Sequence, residues 1–251
     1  MKKIRIIPTI LYDSNSAVKG KNFNSWRKIG SLKQIIKLYS LREVDELIFL
    51  DVAANSKKNL EYKIIDDFAD DCFMPITAGG GIKTMKNIEL LLKSGVDRVS
   101  INSAIYNNYN FVKEAINYFG SQCIVLSVDY KIINNKKKNV FINSGRHDTK
   151  IDLNEYLKKI EDLQPGEVLI NSIDRDGTMM GYDIETLKKI EKKFKFQIIA
   201  SGGAKSEKDV YNLINQTSIK AVSCSSIFQF TEITPLKIKE FLLKKGYRLR
   251  N

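Results

Sequence analysis

One unit of this chain occurs twice. Ala78-Gly79-Gly80-Gly81-Ile82 is followed by Val99-Ser100-Ile101-Asn102-Ser103, and Ala200-Ser201-Gly202-Gly203-Ala204 by Val222-Ser223-Cys224-Ser225-Ser226. Ala78 lies 122 positions before Ala200 and Val99 lies 123 before Val222, so the copies run in near register half a chain apart. Each copy places a glycine-rich turn at the end of an apolar run, ahead of a small, hydroxyl-rich strand end. A chain built this way is expected to consist of two similar halves. Glycine lets backbone approach a ligand closely, and successive N–H groups at a turn or helix start bind phosphate. The repeat therefore predicts a double phosphate cradle.

Apolar runs rich in Ile and Val alternate with amphipathic stretches throughout the 251 residues. Strands are expected over Ile4–Leu11, Glu46–Val52, Met74–Ala78, Arg98–Asn102, Cys123–Asp129, Glu167–Ser172, Phe196–Ala200 and Ala221–Ser225. Helices are expected over Leu32–Leu41, Lys58–Asp70, Met85–Ser94, Phe111–Phe119, Leu153–Leu163, Ile184–Phe194, Glu207–Asn215 and Pro235–Lys245. Asp152 and Asp183 stand at N-cap positions, and Pro235 suits a first helical turn. Eight strands alternating with eight helices, on a twofold repeat, predict an α/β fold: one closed (β/α)₈ TIM barrel spanning 1–251, with no interdomain linker. Tyr12–Gly30 reads as a long polar loop after the first strand, and Lys131–Asp148 as a hairpin inserted after the fifth. Both fall on the face where such barrels carry their sites.

Composition excludes several alternatives. A hydrophobic content of 43% with four prolines suits a substantial core. No apolar run reaches the length that spans a bilayer, and the basic start soon meets Asp13, so a cytoplasmic protein without membrane contact is expected. Cys72, Cys123 and Cys224 are widely spaced and fit neither a disulfide frame nor a metal site. His147 is the only histidine, which rules out a multi-histidine metal centre, and its place in a loop argues against imidazole general-base catalysis. The net charge of +12 comes from lysines spread through nearly every predicted helix, which argues against a nucleic-acid surface.

Several residues stand where chemistry is expected. Asp51 and Asp129 each end an apolar strand; each either serves as an acid–base group with a raised pKa or accepts loop N–H bonds. Asn171-Ser172-Ile173-Asp174-Arg175-Asp176-Gly177-Thr178 crowds charge at a strand end, read either as a turn with internal salt bridges or as a substrate contact through Asp176. Lys19 sits in the first long loop, either solvated or reaching a phosphorylated ligand. Arg5, Glu46, Arg98 and Glu167 lie near strand starts, as surface ion pairs or as a ring closing the barrel base.

Together these residues resemble the cyclase subunit of imidazole glycerol phosphate synthase, the histidine-pathway (β/α)₈ barrel. The resemblance runs from Arg5-Ile6-Ile7-Pro8 through Val18-Lys19-Gly20, Phe49-Leu50-Asp51, Gly79-Gly80-Gly81-Ile82 and Ser172–Thr178 to Ala200–Ala204. It implies a class I amidotransferase-type glutaminase partner in a heterodimer and no cofactor. Ammonia from that partner enters through the four-residue charged gate, here Arg5, Glu46, Arg98 (lysine in the family) and Glu167, with Asp97 at the partner interface. It implies substrate contacts at Lys19, Asp51, Asn102, Ser144, Asn171, Asp176 and Ser201. Phosphate contacts fall at Gly81, Ser103, Gly203, Ser225 and Ser226, and Asp129 becomes a catalytic aspartate.

One position departs in a way that bears on chemistry. The family reads Arg-Ile-Ile-Pro-Cys-Leu-Asp-Val, whereas this chain has Arg5-Ile6-Ile7-Pro8-Thr9-Ile10-Leu11-Tyr12, so Leu11 stands where the second catalytic aspartate belongs. Asp13 shares the parity of Leu11 and replaces that aspartate only if the strand end bends back. Asn171, Gln229 and Asn15-Ser16 are further departures. The pattern is similar to divergent paralogues that work with a glutaminase-like subunit and a sugar amidotransferase in surface-polysaccharide pathways. The alternatives are an active cyclase-lyase, a related sugar-phosphate isomerase, and a scaffold with a vestigial site.

Overall fold

The computed structural model describes residues 3–14, 16–42, 44–54, 72, 74–134 and 137–250. In chain order its strands are β1 (Arg5–Asp13), β2 (Ser16–Lys21), β3 (Asn24–Ser31), β4 (Leu47–Asp51), β5 (Ile76–Gly79), β6 (Arg98–Ile101), β7 (Ile124–Ile133), β8 (Lys137–Ile142), β9 (His147–Asp152), β10 (Glu167–Ser172), β11 (Gln197–Ser201) and β12 (Ala221–Cys224). Eight of them, β1, β4, β5, β6, β7, β10, β11 and β12, pair in parallel, each with its neighbour. The sheet closes where β10 joins β7 (Glu167 opposite Val125) and β12 joins β1 (Arg5 opposite Ala221). The expected (β/α)₈ barrel is the observed fold.

Strand periodicity separates two cores. On β1, Ile6, Ile10 and Tyr12 face outward into the layer shared with the helices. Ile7 faces inward and packs with Ile48, Val125, Leu169, Ile199 and Ala221 inside the barrel. The covering helices bury one stripe each, as Leu187 and Ile190 do on Ile184–Lys193. Their starts follow from local chemistry. The Asp152 and Asp183 carboxylates accept the Asn154 and Thr186 N–H groups, Thr84 and Asn87 form a reciprocal capping box, and Pro235 takes the first turn of its helix. The helix expected over Lys58–Asp70 lies outside the described residues.

The expectations fail in two places. Residues 12–30 are not a polar loop. Strand β1 continues to Asp13, β2 pairs back on it with Leu11 opposite Val18, and β3 pairs on β2, giving a hairpin over the barrel mouth. The β7–β8 hairpin forms where expected but gains a third strand, β9. Two five-residue helices, Ser103–Asn107 and Ser226–Phe230, follow β6 and β12 at equivalent places in the two halves, 123 positions apart. The residues before them share an unusual backbone: Asn102 at φ −121°, ψ −88° and Ser225 at φ −131°, ψ −74°. The repeat is thus built into the backbone.

Candidate active site

The strand ends and the loops after them enclose a cavity of about 750 Å³. Asp129, at the inner face of β7, is buried in its wall. Two amides hold its carboxylate: Asn102 Nδ2 donates to Oδ2 at 2.8 Å and Asn171 Nδ2 to Oδ1 at 3.3 Å. Burial pushes its pKa up to about 7; the Asn171 hydrogen bond opposes that shift, the Asp176 charge adds to it, and Asn102 opposes it. A carboxyl near neutrality in a cavity can both take and give a proton. β1 and β7 are four strands apart either way round the barrel, hence diametrically opposed, and the β1 residues in the cavity wall are Thr9 and Leu11. Asp13 is exposed and outside that wall, so β1 brings no carboxylate to the cavity.

Lys19 is not a solvated loop lysine. It lies on β2 with only 2% of its side chain exposed, and its Nζ meets Asp176 Oδ1 at 2.7 Å. The hairpin that carries it is pinned across the mouth. Asn22 N donates to the Asp176 carbonyl at 2.8 Å, and Asn22 Nδ2 to the Ile173 and Asp174 carbonyls at 3.0 and 2.9 Å. The charged run after β10 divides accordingly. Asp174 accepts the Ile132 N–H and Arg175 donates to the Met180 carbonyl, so both are turn structure, whereas Asp176 faces the cavity. Asp51 combines both readings, accepting the Ala53 N–H at 2.8 Å while lining the cavity.

The two glycine turns and the hydroxyl strand ends meet at two pockets. In the first, Gly81 at φ +64° and Ser103 line the cavity; a Cβ on Gly81 would fall 2.8 Å from the Ala54 Cβ. Ser103 Oγ accepts the Asn143 N–H at 3.0 Å, and Ser144 Oγ donates to the Val52 carbonyl at 3.1 Å. In the second, Gly203 (φ +104°), Ser225 and Ser226 enclose a separate pocket of about 20 Å³, room for one small group. Among the described residues the Ser226 Oγ is buried there without a hydrogen-bond partner, which suits contact with an acceptor group. Ser201, Ser225 and Asp176 line both spaces. Ser201 Oγ lies 3.3 Å from Ser223 Oγ, which lies 2.7 Å from Thr9 Oγ1.

Sequence reading passed over Phe23 and Trp26, the hairpin aromatics in the cavity wall, because scattered aromatics in a polar segment show no spacing. The grip of Asn171 on Asp129 was also missed; the inward parity of both residues on neighbouring strands was the available signal. His147 is exposed and lies outside the cavity wall.

At the base, Arg5, Glu46, Arg98 and Glu167 form a closed ring. Arg5 contacts Glu46 at 2.8 Å and also Glu167, and Arg98 contacts both glutamates. Thr77 Oγ1 donates to Glu46 at 3.2 Å. Burial disfavours the Arg5 charge, but Glu167 and Glu46 more than offset this and hold the guanidinium above its ordinary pKa. Asp97, exposed at the same end, accepts the Ile76 N–H at 2.8 Å. Among the described residues no group of three or more His, Cys, Asp or Glu gathers as metal ligands, and no helix is long and apolar enough to cross a membrane.

A family model described as "Histidine biosynthesis protein" matches residues 5–234. The chain belongs to that family. Curated relatives include the imidazole glycerol phosphate synthase subunit HisF of Clostridium botulinum strain Kyoto / Type A2, 37% identical over 248 residues that cover 98% of each chain. The HisF subunit of strain 657 / Type Ba4 is 36% identical over the same coverage. The chain is HisF-like over 98% of its length.

Proposed function

We propose that this chain is the barrel subunit of a glutaminase-dependent pair, conducting ammonia from its base to a phosphorylated ligand held at its mouth. The partner glutaminase docks at the base beside Asp97. Ammonia passes the Arg5–Glu46–Arg98–Glu167 ring and the apolar layer of Ile7, Ile48, Val125, Leu169 and Ile199, then reaches the hydroxyl-lined upper barrel. The ligand's phosphates occupy the two cradles, with Lys19, Asp51, Asn102, Ser144, Asn171, Asp176 and Ser201 around its polar body. Asp129 is the proton-transfer group.

The observation that carries this reading is Leu11 in the cavity wall diametrically opposite Asp129. Losing one partner of an acid–base pair slows a reaction about 10²- to 10⁴-fold. With its grip kept and its chemistry halved, the chain serves as a divergent paralogue. Its ammonia goes to a different acceptor, the substrate of a sugar amidotransferase in surface-polysaccharide synthesis. The retained Asp129 and the 37% identity favour one second reading, an active cyclase-lyase of the histidine pathway.

A steady-state assay with a bisphosphorylated ribulosyl aminoimidazole carboxamide, the substrate that the resemblance to the cyclase subunit implies, and ammonium salt separates the two. The paralogue reading expects turnover depressed at least about 10²-fold and partly restored by Leu11→Asp. Unmodified turnover at the level of the C. botulinum relatives would establish the cyclase instead.

A further inference from the structure

The two halves repeat in backbone but differ in charge. The first glycine turn is followed by Lys83, and Arg146 stands in the turn between β8 and β9. That β8–β9 turn is tied to the first half at Ser103, whose Oγ accepts the Asn143 N–H at 3.0 Å. Lys83 and Arg146 both line the mouth cavity together with Gly81 and Ser103. Both side chains are exposed, and among the described residues neither belongs to an ion pair. The carboxylates of that wall are engaged elsewhere. Asp51 accepts the Ala53 N–H, Asp129 is held by Asn102 and Asn171, and Asp176 is paired with Lys19.

The second half lacks this pair. Lys205, 122 positions after Lys83, lies outside the wall of the second pocket. On the β2–β3 hairpin, Arg27 lies over the Phe230 ring, 4.4 Å from its centroid, on the short helix that begins at Ser226. Among the described residues no lysine or arginine lines the second pocket, which offers about 20 Å³ against about 750 Å³ at the mouth. Backbone N–H and hydroxyl groups serve there as donors, a set that suits one phosphoryl group. The first half presents the same kinds of donor at Gly81 and Ser103 and adds two unpaired cations and room. An arginine fork and a lysine ammonium beside such donors answer further negative charge, that of an additional phosphoryl group. Two cations set in one wall without a counter-charge also repel each other until an anion enters.

We infer that the end of the mouth cavity at Gly81 and Ser103 takes a diphosphate, with Lys83 and Arg146 on its outer phosphoryl group, whereas the second pocket takes a single phosphoryl group. This rests on the phosphorylated-ligand reading above and specifies the ligand class. The ligand is an unsymmetrical phosphorylated molecule whose more highly charged end faces β5, β6 and the β8–β9 turn. Lys83 and Arg146 thereby set both which ligand binds and which way round it lies, in a barrel whose backbone repeats and does not itself distinguish the two ends.

The test is calorimetric titration of the intact chain with inorganic phosphate and with pyrophosphate, in metal-free buffer at neutral pH. Pyrophosphate is expected to bind about tenfold more tightly than phosphate. Lys83→Ala/Arg146→Ala is expected to raise the Kd for pyrophosphate about tenfold or more and to leave that for phosphate within about twofold. Gly203→Ala, which crowds the second pocket, is expected to do the reverse. Lys113→Ala/Lys205→Ala makes the same change in net charge outside both pocket walls and is expected to leave both values within about twofold. The diphosphate inference is overturned if pyrophosphate binds no more tightly than phosphate, if Lys83→Ala/Arg146→Ala leaves its Kd unchanged, or if the two double variants raise it equally. Phosphate binding in those cases leaves the phosphorylated-ligand reading standing. Failure of both anions to bind removes that reading, and this inference falls with it.

Discussion

Asp129 shows how environment turns an ordinary carboxylate into a working one. Its side chain keeps two amide donors yet lies deep enough that burial dominates, and its pKa stands at about 7 against 3.8 unperturbed. The folded state therefore holds this proton between about pH 4 and pH 7 while the unfolded chain releases it. Stability is unaffected by this group below pH 4, falls as pH rises through that window, and is fully reduced above pH 7. Asp129→Asn is accordingly expected to raise Tm relative to the unmodified protein at pH 8, with the difference shrinking toward pH 4. Thermal melts across that range check it. A buried carboxyl that titrates near 7 also predicts activity that changes through neutrality, lost altogether in Asp129→Asn. The Lys19–Asp176 pair gives a second expectation at this scale. Asp176→Ala leaves a buried ammonium without its carboxylate and is expected to destabilise by roughly 3 kcal/mol. Lys19→Met/Asp176→Ala is expected to recover much of that loss in urea titrations. These residues were only partly readable beforehand. A strand-terminal aspartate announces itself in the sequence, but the burial of Lys19 depends on a hairpin whose strands are polar and carry no apolar alternation.

Among the elements, the repeated glycine turns and hydroxyl strand ends matter most. The sequence disclosed both because glycine clusters and apolar runs are local signals, and most strand boundaries were placed within a residue or two for the same reason. The five-residue helices after β6 and β12 were invisible, being too short to show a helical period. They nevertheless begin at Ser103 and Ser226, which line the two pockets. In the second cradle, a Cβ at Gly203 would come within 2.2 Å of the Gly181 carbonyl, at a φ of +104° that side chains rarely adopt. Gly203→Ala is therefore expected to lose most of the Tm rise produced by inorganic phosphate, which native-state binding must otherwise cause. The β2–β3 hairpin supplies a built-in reporter. Trp26 is the only tryptophan and lines the mouth cavity, so its emission is expected to shift as a sugar phosphate fills the site. An unchanged spectrum at saturating ligand would place the ligand away from the hairpin.

The molecule as a whole is a barrel with a cavity at one end and a closed ring of charge at the other. The alternation of strand and helix made that architecture readable, whereas the ring had two readings until the strands closed, because residues from 5 to 167 meet only in three dimensions. Arg98→Met would leave Glu46 and Glu167 sharing Arg5 alone. The expected cost is roughly 2–4 kcal/mol, below the fully buried case because three of the four side chains keep 12–16% exposure. Chemical denaturation measures it, and adding Glu167→Gln is expected to restore part. The ring also has a connectivity worth following through. Four residues joined by four contacts make a circuit, and a circuit can be cut at any single edge and still hold all its members in one chain. Any one arginine–glutamate contact can swing aside while every charge keeps at least one opposite neighbour. Only a second simultaneous cut divides the four. The base of the barrel can thus open by one contact at a time and reclose without stranding a buried charge.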